Sequence, residues 1–439
     1  MACVIAAPSS SSGKTLLSLI LISWARVNGQ TIQPFKVGPD YLDPQLLTKV
    51  SQRPCRNLDL ILSNKHWIQD SFYRHGGKAD MAIIEGVMGL FDGIGSTDKG
   101  STASIAKELE LPVVLTINSR GQAASLAALV KGFRDQDPQL KLAGVVVNQV
   151  NTQRHKNLLK EVLQSINVKM LGSLPSDPML TLPNRYLGLT PAHEINDIEK
   201  RVEAWVEIAK NNLDLEIFKN LLKAPLLKKE PIFLKANESK KKTSISQYPI
   251  AIAEDKAFHF RYPETKEYLE ELGMPLITWK PTENESIPRR AKGLIIPGGF
   301  PEQYAEQISA ASNALNSLKS FYGKCPIYAE CGGMLLLGNS IKNQEGTSYP
   351  MAGLLPFNSE KGNLQIGYRQ LISLRNTLIM NKGDKLNGHE FHHWEIKPSS
   401  SINAEERKHN LGNLWTMSGW DLNSRREGWG NKHIHASWI

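Results

Sequence analysis

Five short, largely apolar runs rich in β-branched residues, at 3–7, 33–37, 81–85, 113–117 and 143–147, constrain what the first half of this chain can become. A strand with one face in solvent alternates polar and apolar residues, whereas a strand covered on both faces does not. These runs therefore read as strands of a mostly parallel sheet covered by helices. The stretches between them, 15–27 and 123–133 among others, carry helical periodicity. A second series of runs at 250–253, 276–279 and 293–296 follows a change in texture at 222–248, where Lys, Ser and Pro dominate. The expectation is two doubly wound α/β domains, 1–222 and 249–439, joined by a linker at 223–248. A chain of 439 residues is too long for one ordinary core, which supports that division.

The net charge of +9 invites a nucleic-acid reading, but basic residues are not interleaved with aromatics, so none is expected. Solvated lysines, such as the run 240–242, explain much of the excess, and an anionic small substrate suits the remainder. No apolar stretch is long enough to span a bilayer, and the N-terminus lacks the basic and cleavage regions of a signal peptide. Four cysteines without metal-ligand spacing fit a reducing compartment, so a cytoplasmic protein is expected.

The first run leads into Ala7-Pro8-Ser9-Ser10-Ser11-Ser12-Gly13-Lys14-Thr15, at the start of a helical pattern. A strand, a loop of small residues and a Gly-Lys-Thr helix start make a phosphate cradle. Loop N–H groups at Ser10, Ser11, Ser12 and Gly13 meet the phosphates, Lys14 neutralises them, and the Thr15 hydroxyl ligates Mg²⁺. The strict phosphate-loop pattern fails at Pro8, which occupies the first glycine position. Two further strands end in acidic motifs, Gly38-Pro39-Asp40-Tyr41-Leu42-Asp43 and Glu85-Gly86-Val87-Met88-Gly89-Leu90-Phe91-Asp92. Ligands of open α/β sheets lie outside the carboxyl ends of the strands. Asp40 and Glu85 are thus expected to act as Mg²⁺ ligands, or just behind them, beside Thr15. Tyr41, Asp43, Gly89 and Asp92 are candidate substrate contacts by the same placement, with a turn role equally open for Asp43 and Asp92.

In the second half, Tyr328-Ala329-Glu330-Cys331-Gly332-Gly333-Met334 sits between a short apolar run and a helical-looking one. A cysteine at a strand-to-helix turn points outward, and the helix N-terminus is expected to stabilise its thiolate. This is a nucleophile elbow with Cys in place of Ser. A buried cysteine at a tight turn is the plainer alternative for the motif alone.

Taken together and in order, the motifs resemble those of cobyrinic acid a,c-diamide synthases. The likeness runs through the Ser-rich loop, Phe35 to Pro44, Glu85 to Gly93, Gly100-Ser101-Thr102-Ala103, Pro297-Gly298-Gly299-Phe300-Pro301-Glu302, Ala329 to Gly333 and Gly388-His389-Glu390-Phe391-His392. It implies a P-loop ATPase domain similar to dethiobiotin synthetase, fused to a class I glutamine amidotransferase domain. On that likeness Cys331 attacks glutamine to give a thioester and ammonia. Gly298 and Gly299 help hold the oxyanion, and ATP with Mg²⁺ activates a carboxylate as an acyl phosphate that ammonia then attacks. Cobyrinic acid, glutamine and ATP are the implied partners, and oligomeric state stays open.

Two departures stand out. Ser11 or Ser12 replaces a glycine usual in the loop of relatives. The base expected to pair with Cys331 is a histidine near the C-terminus. Aligning Ala436-Ser437-Trp438 with the family's segment fits better and puts that histidine beyond Ile439, implying a clipped chain or an impaired glutaminase. Aligning His433-Ile434-His435 instead makes His435 the candidate. His389, His392 and His393 read as either substrate-side or structural. Hydrogenobyrinic acid and nickel-sirohydrochlorin remain alternative substrates. A reading of another class, a ParA-like ATP switch with a regulatory amidotransferase-like domain, has no use for the Cys331 elbow.

Overall fold

In the computed structural model, which describes residues 2–185, 188–227, 247–398 and 411–439, the first strand runs through the middle of a seven-stranded sheet. Its strands are β1 (Cys3–Ala6), β2 (Ile32–Val37), β3 (Arg56–Leu58), β4 (Met81–Glu85), β5 (Val113–Asn118), β6 (Leu142–Asn148) and β7 (Met170–Leu174). The order is β3-β2-β4-β1-β5-β6-β7, and every neighbouring pair is parallel. β1, β2 and β4 are buried along their whole length, as unbroken apolar runs require when helices cover both faces. The expected helices are present as α1 (Lys14–Val27) and, for the 123–133 pattern, Ser125–Asp135. β3 and β7 went unanticipated: β3 has only three residues, and the apolar run of β7 is interrupted by Gly172 and Ser173.

The contacts of the chain divide it into two units, Met1–Lys241 and Lys242–Ile439. The expected linker at 223–248 lies mostly outside the described residues, as do its Lys and Ser runs. Among the described residues, no helix is long and apolar enough to cross a membrane.

The second unit is built on a six-stranded sheet in the order Leu276–Trp279, Ile250–Ala253, Gly293–Ile296, Ile327–Glu330, Ile434–Ser437, Trp429–Gly430. All its pairs are parallel except the last. Three strands match the apolar runs read from the sequence. Beside it stands a mixed sheet dominated by the long hairpin of Phe357–Ser373 with Lys385–Pro398. That hairpin was not expected. One face of much of it is exposed, so its residues are mostly polar and give no buried-strand signal.

Close backbone packing fixes the end of Ile327–Glu330. A β-carbon on Gly333 would come within 2.1 Å of the Ile296 carbonyl oxygen and 2.7 Å of that of Pro297. Gly333→Ala is therefore expected to destabilise the second unit by about 1–3 kcal/mol, the range for overpacking. Chemical unfolding followed by tryptophan fluorescence checks it, and a wild-type midpoint would show that the turn can give way.

Candidate functional site

The carboxyl ends of β1, β2, β4 and β6 bring the first unit's polar residues together. Gly13 sits in the left-handed region at φ 109°. A β-carbon there would fall 2.5 Å from Asn148 Nδ2, whose amide donates to the Ser12 carbonyl at 3.2 Å. Asn148, at the end of β6, thus braces the loop from below. Ser11 also has positive φ, at 61°, and is exposed with Ser10, while Ser12 is buried. Lys14 Nζ donates to the Ser9 carbonyl at 3.2 Å and the Met88 carbonyl at 2.6 Å. Burial, with the nearby Lys36 charge, pushes Lys14 down to about 8.

Thr15 Oγ1 donates to Glu85 Oε1 at 2.7 Å. The same oxygen accepts from Lys36 Nζ at 2.8 Å, and Lys36 also reaches Asp43 at 2.5 Å and Asp40 at 3.6 Å. Burial opposes the Lys36 charge, but Asp43, Glu85 and Asp40 hold its ammonium well above the ordinary lysine range. Burial and the neighbouring Asp43 push Asp40 up to about 7. Asp40 Oδ1 accepts from the Leu42 N–H at 2.8 Å, at the start of α2 (Leu42–Ser51), and Tyr41 occupies the N-cap position of that helix. Asn57 on β3 holds the turn by donating to the carbonyls of Gly38 and Asp40, both at 2.8 Å.

Asp92 Oδ2 accepts from the Gly89 N–H at 2.7 Å, the turn alternative for that aspartate. Gly100 to Ala103 acquires a local explanation too. Ser101 caps the helix Thr102–Glu108, and Thr102 Oγ1 bonds both N–H and carbonyl of Val87. The sequence reading missed Lys36 and Asn148. A lysine inside a strand otherwise buried on both faces, beside Asp40 and Asp43, was the available signal for the first.

Glu85 Oε2 is buried without a hydrogen-bond partner, so the cluster has an acceptor to spare for a cation. Among the described residues no group of three or more His, Cys, Asp or Glu is arranged to hold a metal by itself. One hydroxyl and one or two carboxylates suit Mg²⁺ carried in on nucleotide phosphates.

In the second unit Cys331 ends the strand Ile327–Glu330 with φ 51° and ψ −124°, a conformation uncommon outside glycine, and the helix Gly332–Leu335 follows. Strain of this kind at a strand-to-helix turn is what an elbow requires. The Cys331 N–H donates to the Ser437 carbonyl at 2.8 Å. Gly298 and Gly299 lie against it. A β-carbon on Gly298 would touch Cys331 Cβ at 3.3 Å, and one on Gly332 would meet the Gly299 oxygen at 2.8 Å.

Two expectations are corrected here. The thiolate is not stabilised. Burial, then the charge of Glu330, pushes the Cys331 thiol up to about 12. The following helix is a single turn of four residues, too short to offset those effects, although the Gly332 N–H lowers the value. The second correction concerns His435, which the fold does not bring to Cys331. In the strand register His435 lies opposite Tyr328, three residues before Cys331, roughly 10 Å along the strand. Its ring stacks on Tyr328 at 4.9 Å and meets Trp415 edge-on, and among the described residues neither ring nitrogen has a hydrogen-bond partner. Burial pushes it down to about 4, so it is neutral.

His392 has a structural setting. It meets Glu390 at 2.9 Å and the Trp394 carbonyl at 2.6 Å, and stacks on Trp438 at 3.6 Å. Burial raises Glu390, but hydrogen bonds from His392 and Arg369 hold it down to about 2. Among the described residues, Cys331 Sγ makes one weak hydrogen bond, to the Phe391 carbonyl at 3.9 Å.

Lys36→Met leaves Glu85, Asp43 and Asp40 buried together without their cation. It should cost the first unit about 3–5 kcal/mol in urea unfolding. A loss under 1 kcal/mol would show that the carboxylates simply take up protons. At the other centre, a thiol at about 12 is almost wholly protonated at pH 7. Iodoacetamide labelling of Cys331, followed by peptide mass spectrometry, should keep rising through pH 10. A plateau below pH 9 would contradict this environment.

Comparison with known proteins matches each half of the chain to a family. Residues 3–189 match the CobQ/CobB/MinD/ParA nucleotide binding domain, and residues 249–438 match the CobB/CobQ-like glutamine amidotransferase domain. A cobyrinate a,c-diamide synthase of Caldanaerobacter subterraneus is 38% identical over 90% of this chain and 86% of its own length. Proteins of the same name from Gloeobacter violaceus and a Synechococcus strain are 35% and 34% identical over 100% of this chain, covering 93% and 94% of theirs. With a nucleotide-binding half, an amidotransferase half and relatives alike over nearly the whole length, the chain belongs to the cobyrinate a,c-diamide synthase family.

Proposed function

We propose that this protein amidates the a and c carboxylates of cobyrinic acid, using ATP and the side-chain nitrogen of glutamine. Family membership supports the ligase class. The observation that carries the chemistry is the positive-φ turn presenting Cys331 beside Gly298 and Gly299. In this reading residues 1–222 form the ATP-dependent unit, 223–248 the linker and 249–439 the glutaminase.

The Cys331 sulfur attacks the glutamine amide carbon, and backbone N–H groups at Gly298, Gly299 and after Cys331 receive the developing oxyanion. The C–N bond breaks and ammonia leaves, after which water hydrolyses the thioester to glutamate. In the ATP unit a substrate carboxylate oxygen attacks the γ-phosphorus and ADP departs. Ammonia then attacks the acyl carbon, phosphate leaves, and one proton is lost.

Ser10 to Gly13 cradle the phosphates, and Lys14 exchanges its two carbonyl partners for phosphate oxygens. Thr15 and Glu85, with Asp40 behind them, would hold Mg²⁺, which when bound supplies positive charge at the phosphates. Lys36 holds the Asp43 carboxyl below the ordinary range against its burial and orients Glu85, whose carboxyl burial pushes up. Tyr41, Asp43, Gly89 and Asp92 line the substrate side, although Asp43 and Asp92 also serve internal bonds.

The test is amide formation on cobyrinic acid with ATP and Mg²⁺, comparing glutamine with ammonium as nitrogen source. Product from both supports the whole scheme. Product from ammonium alone means that the thiol lacks a working base in this chain, since His435 is held away from it. Product from neither sinks the cobyrinate reading and points to hydrogenobyrinic acid or nickel-sirohydrochlorin. Lys14→Met should lower the ATP-dependent rate by about 10²-fold or more with either source.

A further inference from the structure

Besides the glycines packed against it, the Cys331 turn has a second support, and that support leads to a carboxylate unused by the scheme above. The Cys331 N–H donates to the Ser437 carbonyl at 2.8 Å, and Ser437 lies opposite Glu330, the last pair of that ladder before the turn. The Ser437 hydroxyl in turn donates to Glu427 Oε2 at 2.7 Å. Glu427 Oε1 accepts from the Trp438 N–H at 2.9 Å. Glu427 ends the strand Leu422–Glu427, pairs with Trp415 in the register and is 8% exposed.

The direction of the bonds around Ser437 is fixed. Its oxygen accepts from Trp415 Nε1 and from the Ile439 N–H, both at 3.0 Å, which occupies both lone pairs. Its proton therefore goes to Glu427, so both carboxylate oxygens act as acceptors, the pattern of the ionised form. Trp438, held by the other oxygen, stacks on His392 at 3.6 Å. The residue before His392 is Phe391, whose carbonyl meets Cys331 Sγ at 3.9 Å. A buried ionised carboxylate is costly, and both bonds of this one go to the two residues beside the nucleophile turn.

We infer that Glu427 is a positioning residue for the glutaminase reaction, holding Ser437 so that its carbonyl fixes the strained Cys331 backbone for attack on the glutamine amide. The inference rests on the glutaminase reading of Cys331. Burial pushes the Glu427 carboxyl up to about 7, against the lowering effect of the Trp438 N–H and the Ser437 hydroxyl. Among the charged groups around it, Glu390 on Lys385–Pro398 raises it and Arg425 on its own strand lowers it. Glu390 is itself matched by Arg369, Arg425 and His392. His435, two residues before Ser437, is kept neutral by its burial. Because the ionised form makes the bonds, the alignment is complete above about pH 7 and is lost as pH falls through that value.

The test is alkylation of Cys331 in the full chain by the chloroketone analogue of glutamine, 2-amino-4-oxo-5-chloropentanoate, with the binding constant separated from the rate at saturation. The amide of Glu427→Gln supplies one acceptor in place of two. Its saturated rate at pH 8 should fall about tenfold or more, while binding changes by less than about threefold. Ser437→Ala, which cuts the link and leaves Glu427 on Trp438, should lose rate in the same way. Below pH 7 the carboxyl and the thiol of the parent both lose protons, so the logarithm of its rate should rise with a slope of about two. Above pH 7 that slope should be about one, and Glu427→Gln should keep about one throughout. Thermal unfolding identifies a variant that fails to fold, and the other then carries the rate comparison. An unchanged saturated rate in a folded variant, or the same pH slope in parent and Glu427→Gln, overturns the inference. A parent that iodoacetamide labels at Cys331 but the chloroketone does not saturate overturns the glutaminase reading, and this inference with it.

Discussion

The ammonium of Lys36, buried among Glu85, Asp43 and Asp40, is the interaction on which the nucleotide side depends. Three carboxylates, at the end of β4, in the turn after β2 and in the first turn of α2, would repel one another in a medium that screens charge poorly. A lysine rising from between them lets all three stay close and leaves Glu85 able to accept from Thr15. One oxygen of Glu85 remains unpartnered, so the cluster is balanced without being saturated. The phosphate loop is then positioned on both sides, by Thr15 on Glu85 and by Asn148 beneath Ser12.

The second unit solves a different problem with a similar economy of parts. Cys331 is presented by backbone strain and close glycine packing, and its electrostatic surroundings on balance disfavour the thiolate. Burial, then the charge of Glu330, holds the sulfur as a thiol. A resting thiol resists oxidation and alkylation. Reactivity then has to come from a base and from substrate, not from the free site. The buried His435 supplies no such help, since its ring stacks on Tyr328 and meets Trp415 edge-on.

The strands of the parallel sheets were legible because burial on both faces leaves unbroken apolar runs, as in Ile250–Ala253 and Gly293–Ile296. The half-exposed hairpin Phe357–Ser373 with Lys385–Pro398 was not, since its polar face obeys no comparable rule. The phosphate loop and the cysteine turn were legible for another reason: each is a local backbone device, written in consecutive residues. His435 was misjudged because a short sequence segment says which residues are near the end of a strand, not which register the strand adopts.

The sequence by itself determined the two α/β series, the cradle from Ser10 to Thr15 and the elbow at Cys331, all of which follow from local pattern and backbone geometry. Only the tertiary structure decided that Lys36 joins Glu85 to Asp43, that Asn148 supports the loop from 136 residues away, and that His435 lies opposite Tyr328 and not Cys331. Charges and their partners come from strands far apart in the chain. Their energies depend on burial and distance, which no stretch of consecutive residues records.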